Sequence, residues 1–288
     1  MLFQEFNQTL VDLSMTLRGQ RKTSEKGGAP VVLALHGWLD NSASLVPLLQ
    51  EMKFEANFYA LDLPGHGFSD HFSGFRGAQF ADYLYALDEF LGLFKTTRVH
   101  LIGHSMGGII ANCYASAFPE RVLSLSLIDS MGPIVRPAED MNTRMRARVN
   151  TRTRLQKQKP QTLSFQSALD RWVKASGLGR ELARPIVQRN LYPKGDRFQW
   201  RYDPCLQLPS VYTYTEDHIE TLLRATTMPT LVVSASEGLL MNNESLLNRR
   251  LAFLPQARHE SFSGGHHIHL EKPTEVARVC DAHLKCNG

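Results

Sequence analysis

The chain contains the sequence Val99-His100-Leu101-Ile102-Gly103-His104-Ser105-Met106-Gly107-Gly108, in which a short apolar run enters a glycine-rich turn. Its centre fits the pattern G-x-S-x-G. In that pattern a serine lies on a sharp turn from a strand to a helix, and the small residues two places on either side let the backbone turn without Cβ clashes. The motif predicts a strand that ends before Ser105 and a helix that begins after it.

This placement makes Ser105 the candidate nucleophile. The serine is expected to project from the end of its strand, at the N-terminus of the following helix. The partial positive charge at a helix N-terminus stabilises an anion that develops there. A chance match to so short a motif is common, and the predicted strand and helix on either side are what favour a functional serine.

Short apolar runs alternate with longer segments of helical character along most of the chain. Five of the runs are bounded by Gly, Pro, Asp or Ser, as buried parallel strands commonly are; they cover residues 31–35, 57–61, 99–103, 123–128 and 230–235. Helices are predicted over residues 43–52, 77–94, 106–118, 244–253 and 274–284. This alternation predicts an α/β fold with a mostly parallel central sheet and helices on both faces. The first ~20 residues are expected to form an antiparallel edge hairpin.

Residues 131–228 interrupt the alternation, because they contain helical patterns but no convincing parallel strand. We interpret them as a helical cap inserted into the core and lying over the site. The predicted domains are therefore a core of residues 1–130 and 229–288 and a cap of residues 131–228.

Composition narrows the class of protein. The 288 residues are 43% hydrophobic and 21% charged, with a net charge of +4, which is ordinary for a globular protein and too weakly basic to indicate nucleic-acid binding. The four cysteines form no C-x-x-C pair, so neither a disulfide scaffold nor a zinc or redox motif is predicted. We find no signal peptide and no apolar run of about 18 residues, so stable membrane insertion is not expected. The expected location is the cytoplasm.

Several motifs together resemble the α/β-hydrolase superfamily. They are His36-Gly37-Trp38, Asp62-Leu63-Pro64-Gly65-His66-Gly67-Phe68-Ser69, the turn around Ser105, and Gly265-His266 followed by Glu271-Lys272-Pro273. The resemblance covers about residues 31–131 and 230–284. Residues 36–41 and 128–133 also resemble a serine-hydrolase-like subgroup of capped esterases. Members of the superfamily use a Ser–His–acid triad without cofactors, so no cofactor is expected.

The resemblance also implies an oxyanion hole made of two backbone amides. One is the N–H of Met106, the residue after the nucleophile. The other, by its position after the first core strand, is the N–H of Trp38. The alternative for His36-Gly37-Trp38 is a simple turn after a strand.

The histidine of such a triad lies near the C-terminus, where Gly265-His266-His267-Ile268-His269 offers three candidates. Gly264 and Gly265 give the loop freedom just before His266, and the spacing to Pro273 matches the family, so His266 is the predicted base. Three neighbouring histidines also suggest a metal site. Because no carboxylate stands at ligand spacing beside them, no metal is expected.

The acid of the triad is expected after the strand at residues 230–235, which leads to Glu237. Its role is to hold the tautomer of His266 and to stabilise the imidazolium. Aspartate is commoner than glutamate there, and Asp129, at the end of the strand at residues 123–128, is the alternative acid.

A basic run without intervening acids lies in the predicted cap, and consists of Arg144, Arg146, Arg148, Arg152, Arg154, Lys157 and Lys159. It is either a solvated face or a surface that attracts an anionic substrate or a membrane.

The predicted function is hydrolysis of a small-molecule carboxylic ester or thioester through an acyl-enzyme intermediate. Two alternatives remain: a carbon–carbon bond hydrolase or cofactor-free peroxidase with the same triad, and a non-catalytic ligand-binding protein. The substrate and the oligomeric state are left open.

Overall fold

A computed structural model describes residues 2–73, 77–96, 98–159 and 161–287. Within these ranges a central sheet has eight strands in the spatial order β1-β2-β4-β3-β5-β6-β9-β10, and a separate hairpin pairs β7 with β8. The strands are β1 Gln4–Leu10, β2 Met15–Lys22, β3 Val31–Leu35, β4 Asn57–Asp62, β5 Val99–His104, β6 Val122–Ile128, β7 Leu191–Lys194, β8 Arg197–Trp200, β9 Thr230–Glu237 and β10 Ala257–Gly265.

The helices alternate with the strands of the core. They are α1 Val46–Glu51, α2 Phe80–Gly92, α3 Met106–Ala117, α4 Met141–Lys157, α5 Phe165–Ser176, α6 Arg180–Arg189, α7 Glu216–Ala225, α8 Glu244–Leu251, α9 Ile268–Glu271 and α10 Pro273–Lys285. The predicted α/β fold, with a mostly parallel sheet between helices, is confirmed.

The sheet has one antiparallel edge and a parallel interior. β1 and β2 form the expected edge hairpin, and β2 pairs antiparallel with β4. From β4 to β10 the neighbouring strands are parallel, so their carboxyl ends meet at one edge of the sheet. In the register of β3 and β5, Leu35 pairs with Gly103, which sets the loop after β3 beside the turn after β5. Ligand and catalytic groups of open parallel sheets gather at this edge.

The core consists of two buried clusters, one on each face of the sheet. Alternate residues of β3 serve opposite faces: Leu33 and Leu35 belong to one cluster, whereas Val32 and Ala34 belong to the other. Helices α2, α3, α7 and α8 complete the first cluster, and α1, α9 and α10 complete the second. A strand buried on both faces requires a continuous apolar sequence, which explains why these short runs are recognisable.

The segment between β6 and β9 carries α4, α5, α6 and the β7–β8 hairpin, with small apolar clusters of its own. Helix α7 is different, because its Ile219 and Leu223 are fully buried in the first core cluster. The packing therefore places α7 with the core, whereas the predicted cap extended to residue 228.

Strand β10 was not predicted. It lies at the edge of the sheet, and its residues are exposed or half-buried, so its sequence lacks the apolar run of the interior strands. Of the helices in the described ranges, none combines the length and apolarity needed to span a bilayer.

Candidate active site

Ser105 lies between β5 and α3 with a strained backbone, at φ 51° and ψ −120°. A non-glycine residue at positive φ costs free energy and persists only where the surrounding structure enforces it. Close packing enforces it here: a Cβ atom on Gly103 would lie 2.5 Å from Cα of Gly108, and one on Gly107 would lie 2.6 Å from the carbonyl oxygen of His36. Both glycines of the motif are therefore required by the close approach of backbone.

Two backbone amides flank this serine. The N–H of Met106 opens helix α3, and the N–H of Trp38 belongs to the loop after β3. Neither amide donates a hydrogen bond to a partner among the residues that the structure describes. The loop is close to the serine, since a Cβ atom on Gly37 would lie 3.3 Å from Cβ of Ser105. Both amides are thus free to bind an oxygen beside Ser105.

The buried ring of His36 holds this loop in place. Its Nδ1–H donates to the carbonyl oxygen of Gly37 at 2.7 Å, and its Nε2 accepts from the amide of Leu63 at 3.0 Å. Burial lowers the pKa of His36 to about 3, so the ring stays neutral and keeps this tautomer. His36 therefore positions the loop and is not a candidate base.

Asp129 pairs with His266: Oδ2 of the carboxylate lies 2.5 Å from Nδ1 of the imidazole. The carboxylate is buried and also accepts hydrogen bonds from the amides of Leu239 and Leu240, at 2.6 and 3.2 Å. Because Nδ1 donates to Asp129, the lone pair of His266 is on Nε2. That is the tautomer that a general base acting on a serine needs.

Glu237, the first choice of acid from the sequence, does not make this contact. It is the exposed last residue of β9. The next residue, Gly238, packs against Asp129, which follows β6. A Cβ atom on Gly238 would lie 2.5 Å from the carboxylate of Asp129. The backbone of the turn that carries Glu237 thus lies against Asp129. Of the two candidate acids, Asp129 is the one whose carboxylate contacts His266.

Ser105 and His266 line the same cavity. Among the described residues no hydrogen bond joins their side chains. Catalytic hydrogen bonds are often long before substrate binds and shorten in the complex.

The other histidines near the site are packed ring to ring; His104 and His269 are buried and His267 is half-buried. The His104 ring centroid lies 4.7 Å from that of His266 and 4.2 Å from that of His269, and its Nε2–H donates to the backbone carbonyl of His266 at 2.9 Å. Burial, reinforced by the neighbouring histidines, holds the pKa values of His104 and His269 well below their usual range, and burial lowers that of His267 to about 4. These three rings remain neutral and shape the surroundings of His266.

The cavity has a volume of about 890 Å³, within the usual range for small-molecule sites. Its wall is mainly apolar and comes from both the core and the inserted segment, with contributions from Ile109, Val135, Trp172, Leu240, Leu246 and Leu247. Polar groups are few, and include Glu216 and Arg250, which form an ion pair at 2.7 Å.

The predicted basic run lies on α4, where Leu155 is the buried residue. None of the described residues that line the cavity belongs to α4. Arg148 packs against the chain rather than the cavity, with its Nη1 donating to the carbonyl oxygen of Pro209 at 2.9 Å. The run is therefore a feature of the outer surface.

A buried ion pair that was not predicted fastens the inserted segment to the core. Arg189 of α6 donates from Nε to both carboxylate oxygens of Asp62, at 3.0 and 2.9 Å, and from Nη1 to Glu5 at 2.6 Å. Asp62 is fully buried and also accepts from the amides of Ser42 and Phe68. In the sequence Asp62 was visible as part of a structural turn, but nothing in the local pattern pointed to a partner in α6.

Comparisons with known proteins agree with this architecture. The family model described as alpha/beta hydrolase fold matches residues 30–273. A serine hydrolase-like protein of Danio rerio is 26% identical over 279 residues, covering 91% of this chain and 83% of that protein. The crystal structure of a hypothetical protein from Pseudomonas aeruginosa PAO1 has a TM-score of 0.88 at 29% identity and covers 98% of this chain and 99% of that one.

A second solved structure, the thioesterase domain from the curacin biosynthetic pathway, has a TM-score of 0.81 at 21% identity, over 97% of this chain and 99% of that one. At that identity the likeness concerns the fold. The match of the family model over most of the chain, together with the parallel sheet and the serine turn after β5, leads to one conclusion: this chain belongs to the α/β-hydrolase family.

Proposed function

We propose that the chain is a serine hydrolase that cleaves a carboxylic ester or thioester through an acyl-enzyme intermediate. The observation that carries the proposal is the strained turn at Ser105, in one cavity with His266, whose Nδ1 is held by buried Asp129. A nucleophile on such a turn, an imidazole whose Nδ1 is held so that Nε2 can take a proton, and a fixed acid are the three parts that acyl transfer needs.

In the proposed reaction, Oγ of Ser105 attacks the carbonyl carbon while Nε2 of His266 takes the hydroxyl proton. The carbonyl oxygen becomes an oxyanion and accepts hydrogen bonds from the amides of Met106 and Trp38. The bond to the leaving group then breaks, and the imidazolium of His266 gives its proton to the departing alcohol or thiol. Asp129 stays ionised and stabilises the imidazolium throughout.

Water completes the cycle by the same route. His266 takes a proton from the water as it attacks the acyl-serine, the two amides hold the second oxyanion, and His266 returns the proton to Oγ of Ser105. The products are a carboxylic acid and the free enzyme. Besides the substrate and one water molecule, the proposed reaction uses only groups of the chain.

The apolar wall of the cavity favours a substrate whose acyl group is apolar and binds there. Its wall above Ser105 is formed mainly by aliphatic side chains, and a volume of about 890 Å³ accommodates more than an acetyl group. Thioesters belong in the proposal because the leaving thiol needs no additional chemistry, and because one protein of the same fold is named a thioesterase domain.

Fluorophosphonate labelling tests whether the site is a serine hydrolase at all. The purified chain should be labelled covalently at Ser105, and Ser105→Ala should abolish the label. Ser116→Ala, at the far end of α3, serves as the matched control and should label like the parent. Absence of label on the parent, or equal label on Ser105→Ala, would indicate a non-catalytic binding protein.

A panel of p-nitrophenyl esters and acyl-CoA thioesters of increasing acyl length then tests the reaction. Turnover of at least one member, lost in Ser105→Ala, supports the proposal. A chain that is labelled but inert on every ester and thioester would instead favour carbon–carbon bond cleavage or peroxidation by the same triad.

A further inference from the structure

Three buried side chains that the proposed reaction does not use meet beside the nucleophile turn. Asp40 lies in the loop after β3, His104 is the last residue of β5, and His269 belongs to α9. Their exposed fractions are 2%, 1% and 0%. A carboxylate oxygen of Asp40 and one ring nitrogen of each histidine all lie within 4.8 Å of one another.

The atoms that these side chains present to one another have no hydrogen-bond partner among the described residues. They are Oδ2 of Asp40, Nδ1 of His104 and both ring nitrogens of His269. The other oxygen of Asp40 already accepts from the amide of Asn41 at 2.8 Å. Buried polar atoms are nearly always paired, so three such residues in one place require an explanation.

The tautomer of His104 shows what kind of partner they need. Its Nε2 faces the carbonyl oxygen of His266 at 2.9 Å, and a carbonyl can only accept, so Nε2 carries the proton. Nδ1 therefore carries a lone pair and no proton, and it is buried without a hydrogen-bond partner among the described residues. A buried lone pair and a buried carboxylate oxygen in the same cluster each need a cation or a hydrogen-bond donor as partner.

We propose that Asp40, His104 and His269 bind a divalent transition-metal ion of the zinc class. One carboxylate oxygen and two imidazole nitrogens are ligands that Zn²⁺ prefers, and three protein ligands with a fourth position open is the arrangement of many zinc sites. Asp40 and His104 also line the cavity, so the cluster lies at the wall of the same cleft as Ser105.

The surroundings fit this assignment in two further ways. Ligands at bond lengths of 2.0–2.2 Å around a tetrahedral ion lie roughly 3.4 Å apart, a spacing that small side-chain rotations reach from the observed arrangement. A histidine that binds a metal commonly donates its second ring N–H to a backbone carbonyl, as His104 does to His266.

The bound ion would join three segments from distant parts of the sequence: the loop after β3, the end of β5 and helix α9. It uses none of the side chains of the proposed triad, so its binding does not depend on the proposed function. Since the folded chain assembles the ligands and an unfolded chain does not, binding should also raise the thermal stability.

The test is direct metal binding to the full chain after treatment with EDTA. A Cys286→Ser background removes an exposed thiol that could bind zinc by itself. Isothermal titration with Zn²⁺ should give one ion per chain, and Asp40→Asn and His269→Gln should each weaken the affinity by about 100-fold or more. His71→Gln, an exposed histidine elsewhere, is the control and should bind like the background. Equal affinity in all four proteins would overturn the proposal.

A second measurement needs no variant of a buried residue. Co²⁺ added to the Cys286→Ser chain should give the intense visible bands of four- or five-coordinate cobalt. If the spectrum stays that of the hydrated octahedral ion, the residues are paired by hydrogen bonds alone and the proposal is wrong.

Discussion

The imidazole of His266 and the carboxylate of Asp129 are joined by a hydrogen bond of 2.5 Å between Nδ1 and Oδ2. This contact connects the loop after β10 to the end of β6, and the amides of Leu239 and Leu240 hold the carboxylate from the other side. Asp129 adopts a positive φ of 46° to reach this position. The orientation of the His266 imidazole is therefore set by Asp129, directly after the interior strand β6.

The first prediction follows from that contact. Asp129→Asn should lower kcat by about 10⁴-fold, because an amide stabilises the wrong tautomer of His266 and no longer stabilises the imidazolium. Kinetics on the most reactive ester of the panel would measure it. Glu237→Gln is the matched control, and its kcat should stay within about twofold of the parent, as for surface changes elsewhere. The reverse pattern would restore Glu237 as the acid.

A second prediction concerns the packing of the serine turn. Gly107→Ala should destabilise the fold by about 2–4 kcal/mol, because the new Cβ would overlap backbone of the loop after β3. Gly92→Ala, at the end of α2 with open space around it, should be neutral or stabilise by up to about 1 kcal/mol. Urea unfolding followed by circular dichroism compares the two. Equal effects would show that the close approach does not constrain Gly107.

A third prediction concerns the ion pair between α6 and the core. Arg189→Ala should cost about 3–5 kcal/mol of stability, because it leaves the fully buried carboxylate of Asp62 without its charged partner. Arg180→Ala breaks an exposed ion pair with Asp170 and should cost less than about 1 kcal/mol. Urea unfolding again measures the free energy of unfolding. A similar loss in both variants would contradict the claim that burial makes the Arg189–Asp62 pair costlier to break.

The fourth prediction addresses recognition of the acyl group. Ile109→Phe adds bulk to the cavity wall and should lower kcat/KM for long acyl chains relative to short ones by about tenfold. Val11→Phe, on the exposed turn of the edge hairpin, should leave the profile unchanged. An unaltered chain-length profile in Ile109→Phe would place the acyl group elsewhere in the cleft.

The local sequence was sufficient for much of the fold because interior strands must be apolar on both faces. All five predicted parallel strands are present, and the helices between them are found close to the expected positions. The same argument explains the omission of β10, since an edge strand with exposed residues carries no such pattern. Helix α7 lies within the predicted cap and has a helical pattern like its neighbours, and only the packing shows that its buried residues belong to the first core cluster.

The site was partly readable from the sequence. The backbone geometry around Ser105 requires glycine at neighbouring positions, so the turn could be identified from the amino-acid sequence alone. The acid could not be identified from the sequence, because β6 and β9 are neighbours in the sheet and both end near His266. Which of two carboxylates reaches the imidazole depends on the path of each turn in space.

The cluster of Asp40, His104 and His269 illustrates the same limit. No metal was expected because no carboxylate stands near the three neighbouring histidines in sequence, yet the fold brings Asp40, from the loop after β3, to one of them, His269. The sequence by itself determined the fold class, the serine turn and the histidine loop, since each depends on local backbone or apolar patterning. Only the tertiary structure decided which acid faces His266 and which distant side chains share a buried place, because those contacts depend on the register of the strands.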